Sequence, residues 1–261
     1  MDLNLNGKTA VVLGGTRGIG RAIADAFAGE GANVAICARD AAKVAETVAA
    51  LEATGVRASG AVVDITDAAA LRAWIAAVGA EFGRVDILVS NAGAMALGAD
   101  ADSWERNFHL DVLGLVHAFE AAAPFLLEAA EARGDAAVVI ISSASAVEVT
   151  AIRSDAASAY GPIKAALIHH AKGLAHEYAG RRLRVNVVSP GTVYFEGGGW
   201  AQAEASAPEH FKAALARNPT GRMATPREIA AAAVFLASPV SSFTTGINLL
   251  VDGAITRRVS F

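Results

Sequence analysis

Short and nearly unbroken apolar runs recur along the chain, separated by longer stretches of helical character. The runs Thr9–Leu13, Asn33–Ala38, Val56–Asp64, Ile87–Ser90, Ala136–Ser142, Arg184–Val188 and Ile247–Val251 predict strands. A strand with one wet face alternates polar and apolar residues, whereas a strand covered on both faces does not. Most of these runs do not alternate, which predicts a parallel sheet between two helix layers. Helical patterns at about 18–29, 41–54, 67–82, 103–132, 158–180 and 226–237 supply the layers. Gly83 and Gly134 punctuate two helix ends, and Thr66-Asp67 and Thr225-Pro226 read as helix starts. No linker or internal repeat divides the chain, so residues 1–261 read as one α/β domain. The exception to the rhythm is about 189–220, where Gly191, Gly197, Gly198, Gly199, Pro208 and Pro219 predict an irregular excursion of the kind that serves as a binding loop.

Composition narrows the picture. The 261 residues are 54% hydrophobic, much of it alanine, which favours helices packed closely on a sheet. The net charge is -4 and no basic block stands out, which argues against a nucleic-acid partner. The single cysteine, Cys37, cannot form an intrachain disulfide and suits a reducing compartment. Its run, Val34 to Ala38, makes it a buried strand residue rather than a reactive thiol. The first residues have no signal-peptide pattern, and no unbroken apolar run is long enough to span a bilayer. The expectation is a cytoplasmic protein with no membrane partner.

Candidate chemistry begins after the first strand, in Leu13-Gly14-Gly15-Thr16-Arg17-Gly18-Ile19-Gly20. Glycines at a strand-to-helix turn let backbone approach a pyrophosphate, and the helix start offers free N–H groups to that anion. An acidic residue at the end of the second strand would accept from a ribose 2′-OH; here Ala38 is followed by Arg39. With Arg17, two guanidinium groups are available for a 2′-phosphate, unless both are simply solvated. Asp40 reaching the ribose instead would favour NAD. Further on, Tyr160 and Lys164 stand four apart, on one face of a helix whose first turn tolerates Pro162. An ammonium there stabilises a phenolate, so Tyr160 can exchange a proton with an alcohol or carbonyl near neutral pH.

Taken in order, the Gly-rich turn, Ser90-Asn91-Ala92-Gly93 after the fourth strand and Tyr160-Gly161-Pro162-Ile163-Lys164 resemble the short-chain dehydrogenase/reductase family, including its 3-oxoacyl reductases. The resemblance runs from Gly7 to Gly253. It implies a Rossmann-like, doubly wound sheet of seven mainly parallel strands with helices on both faces. The implied activity is hydride transfer between NADP(H) and a carbonyl or secondary alcohol, NAD(H) being the less favoured cofactor. In the implied site, Gly14, Thr16, Arg17, Gly18, Ile19, Arg39, Asp64, Ile65, Asn91 and Gly93 meet the nucleotide. Pro190, Gly191 and Val193 meet the carboxamide, and Thr192 is an alternative where the family's threonine is replaced by Phe195.

The catalytic set implied is Ser143, Tyr160 and Lys164, with Ser145 as alternative to Ser143. The stretch between serine and tyrosine is longer than usual, by residues around Glu148–Ala157. Asp111 falls where the family has an asparagine that kinks its helix and holds a water in a relay to the lysine. An aspartate adds negative charge beside Lys164. His109 reads as structural; His169, His170 and His176 lack a partner cluster with metal spacing, so no metal is expected. Tyr194, Phe195 and Trp200 can line a substrate pocket or plug the loop. The family packs the Tyr160 helix and the helix before the fifth strand across a dimer interface, which implies a homodimer or homotetramer. Substrates left open are 3-oxoacyl thioesters, polyketide or steroid ketones and sugars. A dinucleotide-binding sensor with little turnover and an NAD-linked alcohol dehydrogenase are the rival readings.

Overall fold

The computed structural model describes residues 2–149 and 158–259. Among these, β1 (Thr9–Leu13), β2 (Asn33–Ala38), β3 (Ala58–Val62), β4 (Ile87–Ser90), β5 (Ala136–Ile141), β6 (Leu183–Pro190) and β7 (Asn248–Val251) form one sheet in the order β3-β2-β1-β4-β5-β6-β7. Every pairing is parallel, so the sheet is wholly rather than mainly so. The order reverses direction between β1 and β4, the kind of switch point where open α/β sheets bind ligands beyond the strand ends.

The unbroken apolar runs are explained by two cores. Val11 and Leu13 of β1 face one cluster, together with Leu71, Leu115, Leu126 and Leu167. Val12 faces the other, with Ile23, Phe27, Ile229 and Val234. Alternate residues of a strand point to opposite faces, and here both faces are dry. The helices supplying the first core are α3 (Ala68–Phe82), α5 (Gly114–Arg133) and α6 (Tyr160–Tyr178); the second is covered by α1 (Gly18–Gly29) and α9 (Pro226–Ala237), with α2 (Ala41–Glu52) beside the outer strands. Cys37 lies in the first core, and burial pushes its thiol up to about 12 against a small opposing pull from the Gly14 backbone.

The punctuation reads as expected. Gly83 and Gly134 end α3 and α5 in the left-handed conformation. Asp67 caps α3 by accepting from the Ala69 and Ala70 N–H groups, and Thr225 with Glu228 forms a capping box on α9. Two expectations are corrected. The helix expected at 103–132 is three pieces: α4 (Ala101–Asn107), a π-helical segment Phe108–Leu113, and α5. The excursion at 189–220 begins inside β6 and carries two helices, α7 (Gly199–Ser206) and α8 (Pro208–Ala216). The stretch Ala101–Arg133 is long and apolar enough to cross a membrane by length and composition alone, which inspection for unbroken apolar runs did not register. In the fold its α5 part packs on α3, β4 and β5, as a core helix does.

Candidate active site

A cleft of about 710 Å³ opens beyond the C-terminal ends of the strands. At one end it is walled by Gly14, Thr16, Arg17 and Ile19 from the first turn. Gly14 and Gly18 take positive φ, 75° and 54°, which a side chain would strain. Gly20 is required for packing: a Cβ there would stand 2.1 Å from the Gly14 carbonyl oxygen. No side chain caps α1 at Arg17, so its first N–H groups keep their capacity for an anion. Asn91 donates through Nδ2 to the carbonyls of Leu13 (3.3 Å) and Gly14 (3.1 Å), tying β4 to the turn.

Arg39 and Arg17 are exposed at this end of the cleft, and Lys43 stands there with them. Asp40 lines the same end. Its carboxylate caps α2, accepting from the Lys43 N–H at 3.1 Å, and lies 3.9 Å from the Lys43 ammonium. Asp64 and Ile65 line the wall just past β3 rather than inside it. Hydrogen bonds from the Thr66 N–H and hydroxyl hold the Asp64 carboxyl below its ordinary range, with a smaller contribution from Arg39.

At the other end Tyr160 and Lys164 stand on the first turns of α6, with Ser143 and Ser145 from the end of β5. The Lys164 ammonium lies 5.7 Å from the centre of the Tyr160 ring. It donates to Asp111 Oδ1 at 2.9 Å and to the Ile141 carbonyl at 3.3 Å. Burial pushes Lys164 down; the Asp111 carboxylate, then Tyr160, outweigh it and hold the ammonium above its ordinary value. Asp111 has no exposed side-chain surface and sits behind Lys164, not on the cleft wall. Its second oxygen accepts from the Ala94 N–H at 3.2 Å. The π-helical turn that carries it is a form concentrated at functional sites. Ser143 accepts from the Ser145 N–H at 3.1 Å, and Ser142 is turned to the Lys164 carbonyl.

Pro190, Gly191 and Val193 form the wall after β6. Thr192 does not join them: it is buried, with its hydroxyl 3.1 Å from Asn218 Oδ1. The aromatic cluster divides its work. Phe195 lines the cleft and lies over Gly18, where a Cβ would meet the ring at 2.6 Å, so Gly18 is beneath that ring instead of on the wall. Tyr194 anchors the excursion through a 2.6 Å hydrogen bond to Glu204 and an edge contact with Phe211. Trp200 lines the cleft and stacks on His210, centroids 5.5 Å apart.

The family model described as Enoyl-(Acyl carrier protein) reductase matches residues 14–256. Isoepoxydon dehydrogenase of Penicillium expansum is 37% identical over 98% of this chain and 97% of its own length. D-threitol dehydrogenase of Mycolicibacterium smegmatis is 38% identical over 98% and 95%. Among solved structures, the Pseudomonas aeruginosa RhlG/NADP active-site complex matches with a TM-score of 0.88 and 34% identity, over 97% of this chain and 98% of that one. The L-sorbose reductase of Gluconobacter frateurii, complexed with NADPH and L-sorbose, matches with 0.88 and 30%, over 99% and 100%. The chain belongs to the short-chain dehydrogenase/reductase family.

As a short-chain dehydrogenase/reductase, the chain gathers into one cleft the catalytic and cofactor residues expected from sequence except Gly18 and Asp111, which stand directly behind its wall; the alternative Thr192 and the aromatic Tyr194 also lie off it. Sequence reasoning passed over Lys43, one turn into α2, for want of a motif. It also passed over Asn107, which is buried and binds both backbone groups of Ala96, at 3.1 and 2.7 Å. Asn107 and Asp111 are four apart, and this spacing was the available signal. The added residues around 148–157 lie outside the described residues from 150 on. Among the described residues no group of three or more His, Cys, Asp or Glu side chains could hold a metal.

Proposed function

We propose that this short-chain dehydrogenase/reductase reduces a ketone to a secondary alcohol with NADPH. The observation that carries the reading is the cleft itself, which joins a glycine turn and three cations at one end to Tyr160 and a locked Lys164 at the other. The residues present fit the cofactor. A pyrophosphate fits the uncapped start of α1, Gly14 gives close backbone approach, and Arg17, Arg39 and Lys43 suit a 2′-phosphate. Asp40 also lines this end, with one carboxylate oxygen used as the α2 cap and the other facing Lys43, so the cations outnumber it there. When bound, the nicotinamide supplies the hydride.

The protein's share is positioning and proton transfer. Ser143 donates to the substrate oxygen and stabilises charge as it develops there. Tyr160 gives its hydroxyl proton to that oxygen in reduction and takes one back in the reverse direction. The Lys164 ammonium favours the phenolate that results. Asp111 holds Lys164 charged and in place, a direct ion pair where the family uses an asparagine and a water. Asp64, Ile65, Asn91 and Gly93 shape the nucleotide wall, and Pro190, Gly191 and Val193 the carboxamide wall.

NADPH oxidation with a panel of ketones tests this. Turnover is expected, and Tyr160→Phe is expected to lower it by at least about a hundredfold. Tight NADPH binding without turnover of any carbonyl would favour a sensor instead. Equal affinity for NADPH and NADH, unchanged in Arg39→Ala, would point to an NAD-linked enzyme.

We further propose a homodimer or homotetramer in the cytoplasm. Exposed Trp104 and Phe108 on α4 and the π turn, and exposed Phe235 and Phe243 on and after α9, support self-association. Light scattering giving a monomer mass at micromolar concentration overturns the assembly.

A further inference from the structure

We propose that the part of the cleft lined by Met95, Leu97, Leu110, Trp200 and Ala203 takes a ketone carried on a compact apolar ring system. This rests on the oxidoreductase reading and names its substrate class: aryl or alicyclic ketones, not acyl thioesters of charged carriers and not sugars. Among the described residues, the charged side chains on the cleft wall are Arg17, Arg39, Asp40, Lys43 and Asp64 at the nucleotide end, and Lys164 beside Tyr160. Lys164 is already matched by Asp111. The nucleotide cations are taken by the cofactor in the reading above. Among the described residues, a phosphate or carboxylate on the substrate would therefore meet no counter-charge not already claimed.

Hydroxyl-rich substrates meet a similar obstacle. Among the described residues, the polar side chains at this end are Ser142, Ser143, Ser145, Tyr160 and His210, with the Trp200 indole; Ser142 already donates to the Lys164 carbonyl, and Ser143 and Tyr160 are needed for the reacting oxygen. Each sugar hydroxyl left facing Met95, Leu97 or Leu110 would lose its water without replacement, at roughly 1–3 kcal/mol apiece. An apolar ring gains from the same wall. Trp200 and His210 are held nearly parallel, 15° apart, so the aromatic surface is oriented before a ligand arrives.

Met95 is the second, independent observation. It takes a left-handed backbone (φ 49°) and leaves its side chain 58% exposed on the cleft wall. Methionine has no local reason to adopt that conformation. It is held there from both sides, by Asp111 on the Ala94 N–H and by Asn107 on Ala96. Strain over-determined by its neighbours is concentrated at ligand clamps, and a flexible thioether adapts to an apolar body.

The test has two arms. In the first, kcat/KM is compared for α-tetralone, fructose and acetoacetyl-coenzyme A. The expected order places α-tetralone at least about tenfold above the other two, and Trp200→Ala is expected to raise its KM by about tenfold while NADPH affinity stays within about twofold. Preference for fructose or the thioester overturns the class and leaves the oxidoreductase reading standing. The second arm needs no turnover: α-tetralone is expected to quench tryptophan emission saturably in the wild type and not in Trp200→Phe. Quenching without turnover of any ketone keeps the apolar site and overturns the reaction; absence of saturable quenching overturns the site.

Discussion

Any side chain at position 93 would strike the charge pair beneath it. A Cβ on Gly93 would stand 2.6 Å from Asp111 Oδ1 and 3.3 Å from the Lys164 ammonium, both held by further hydrogen bonds. Gly93→Ala is expected to displace the pair and lower kcat/KM by about a hundredfold, the penalty of an ångström-scale shift at a reacting centre; wild-type turnover in this variant would refute the argument. Removing the anion is harsher for stability. Asp111→Ala leaves a buried ammonium without its counter-charge, and roughly 3–5 kcal/mol of unfolding free energy is expected to go. Asp111→Asn separates charge from shape through pH. In the wild type Lys164 sits above its ordinary 10.5, because the carboxylate outweighs burial. A raised lysine contributes stability that is complete below 10.5 and is lost only as pH climbs through the higher folded value. The Lys164 contribution is thus flat between about pH 7 and pH 10. With asparagine, burial dominates and the shift reverses. The folded state then disfavours the ammonium, and the variant's Tm relative to wild type is expected to rise with pH over that window. Parallel Tm profiles for the two proteins would contradict the assignment of Asp111 as the source of the shift.

Elements differ in how openly the chain declares them. Strands buried on both faces announce themselves as unbroken apolar runs, and β1, β2 and β4 begin and end where those runs do. The helix split at Phe108–Leu113 leaves no such trace, since a π turn uses ordinary helical residues and differs only in hydrogen-bond register. For that reason the sequence could place the Asp111 charge beside Lys164 only through the family resemblance, and the direct 2.9 Å bond across 53 residues was not legible. The Gly197–Gly199 and Pro208 breakers disguised α7 and α8, although Pro208 occupies the first turn of α8, where its missing N–H is no loss. Glycine and proline report where an element starts as often as where none exists. Side chains hold the pair of helices: Tyr194, just past β6, ties them through Glu204 and Phe211, and Trp200 on His210 joins one helix to the other. Tyr194→Ala removes the first of these anchors. It is expected to raise substrate KM by about tenfold with less than about 1 kcal/mol change in global stability, because Tyr194 is partly exposed and its contacts lie within the excursion. Urea unfolding beside steady-state kinetics checks both halves; an unchanged KM would mean the helices are held by other contacts.

Across the whole molecule, the parallel sheet separates chemistry from structural charge. Every strand runs toward the cleft, so Gly14, Arg39, Asp64, Asn91, Ser143 and Pro190 arrive together from different strand ends. The opposite end carries its own buried ionic band. Lys8 lies 3.9 Å from Asp86, which accepts from the Thr9 N–H and pairs with Arg84. Arg184, at the start of β6, pairs with Asp135 through both carboxylate oxygens and donates to the Leu236, Ala237 and Ser238 carbonyls at the end of α9. Those carbonyls are helix-end acceptors; Leu236 and Ser238 are also reached by Ser241, while Arg184 serves Ala237. The two ends therefore respond separately to substitution. Arg184→Met strands the Asp135 carboxylate and the Ala237 carbonyl and is expected to cost roughly 3–5 kcal/mol, read as a lower urea midpoint. Its NADPH dissociation constant, measured under conditions where it is folded, is expected to stay within about twofold of wild type. Arg17→Ala with Arg39→Ala is expected to do the reverse. These arginines are exposed, so the unliganded Tm stays close to wild type, while NADPH affinity falls by about tenfold or more and loses much of its salt dependence. Binding free energy also stabilises the fold, so the rise in Tm on adding NADPH should shrink in the double variant and persist in Arg184→Met. A loss of NADPH stabilisation in Arg184→Met, beyond what its lower starting Tm explains, would mean that the ionic band and the cleft are coupled through the sheet.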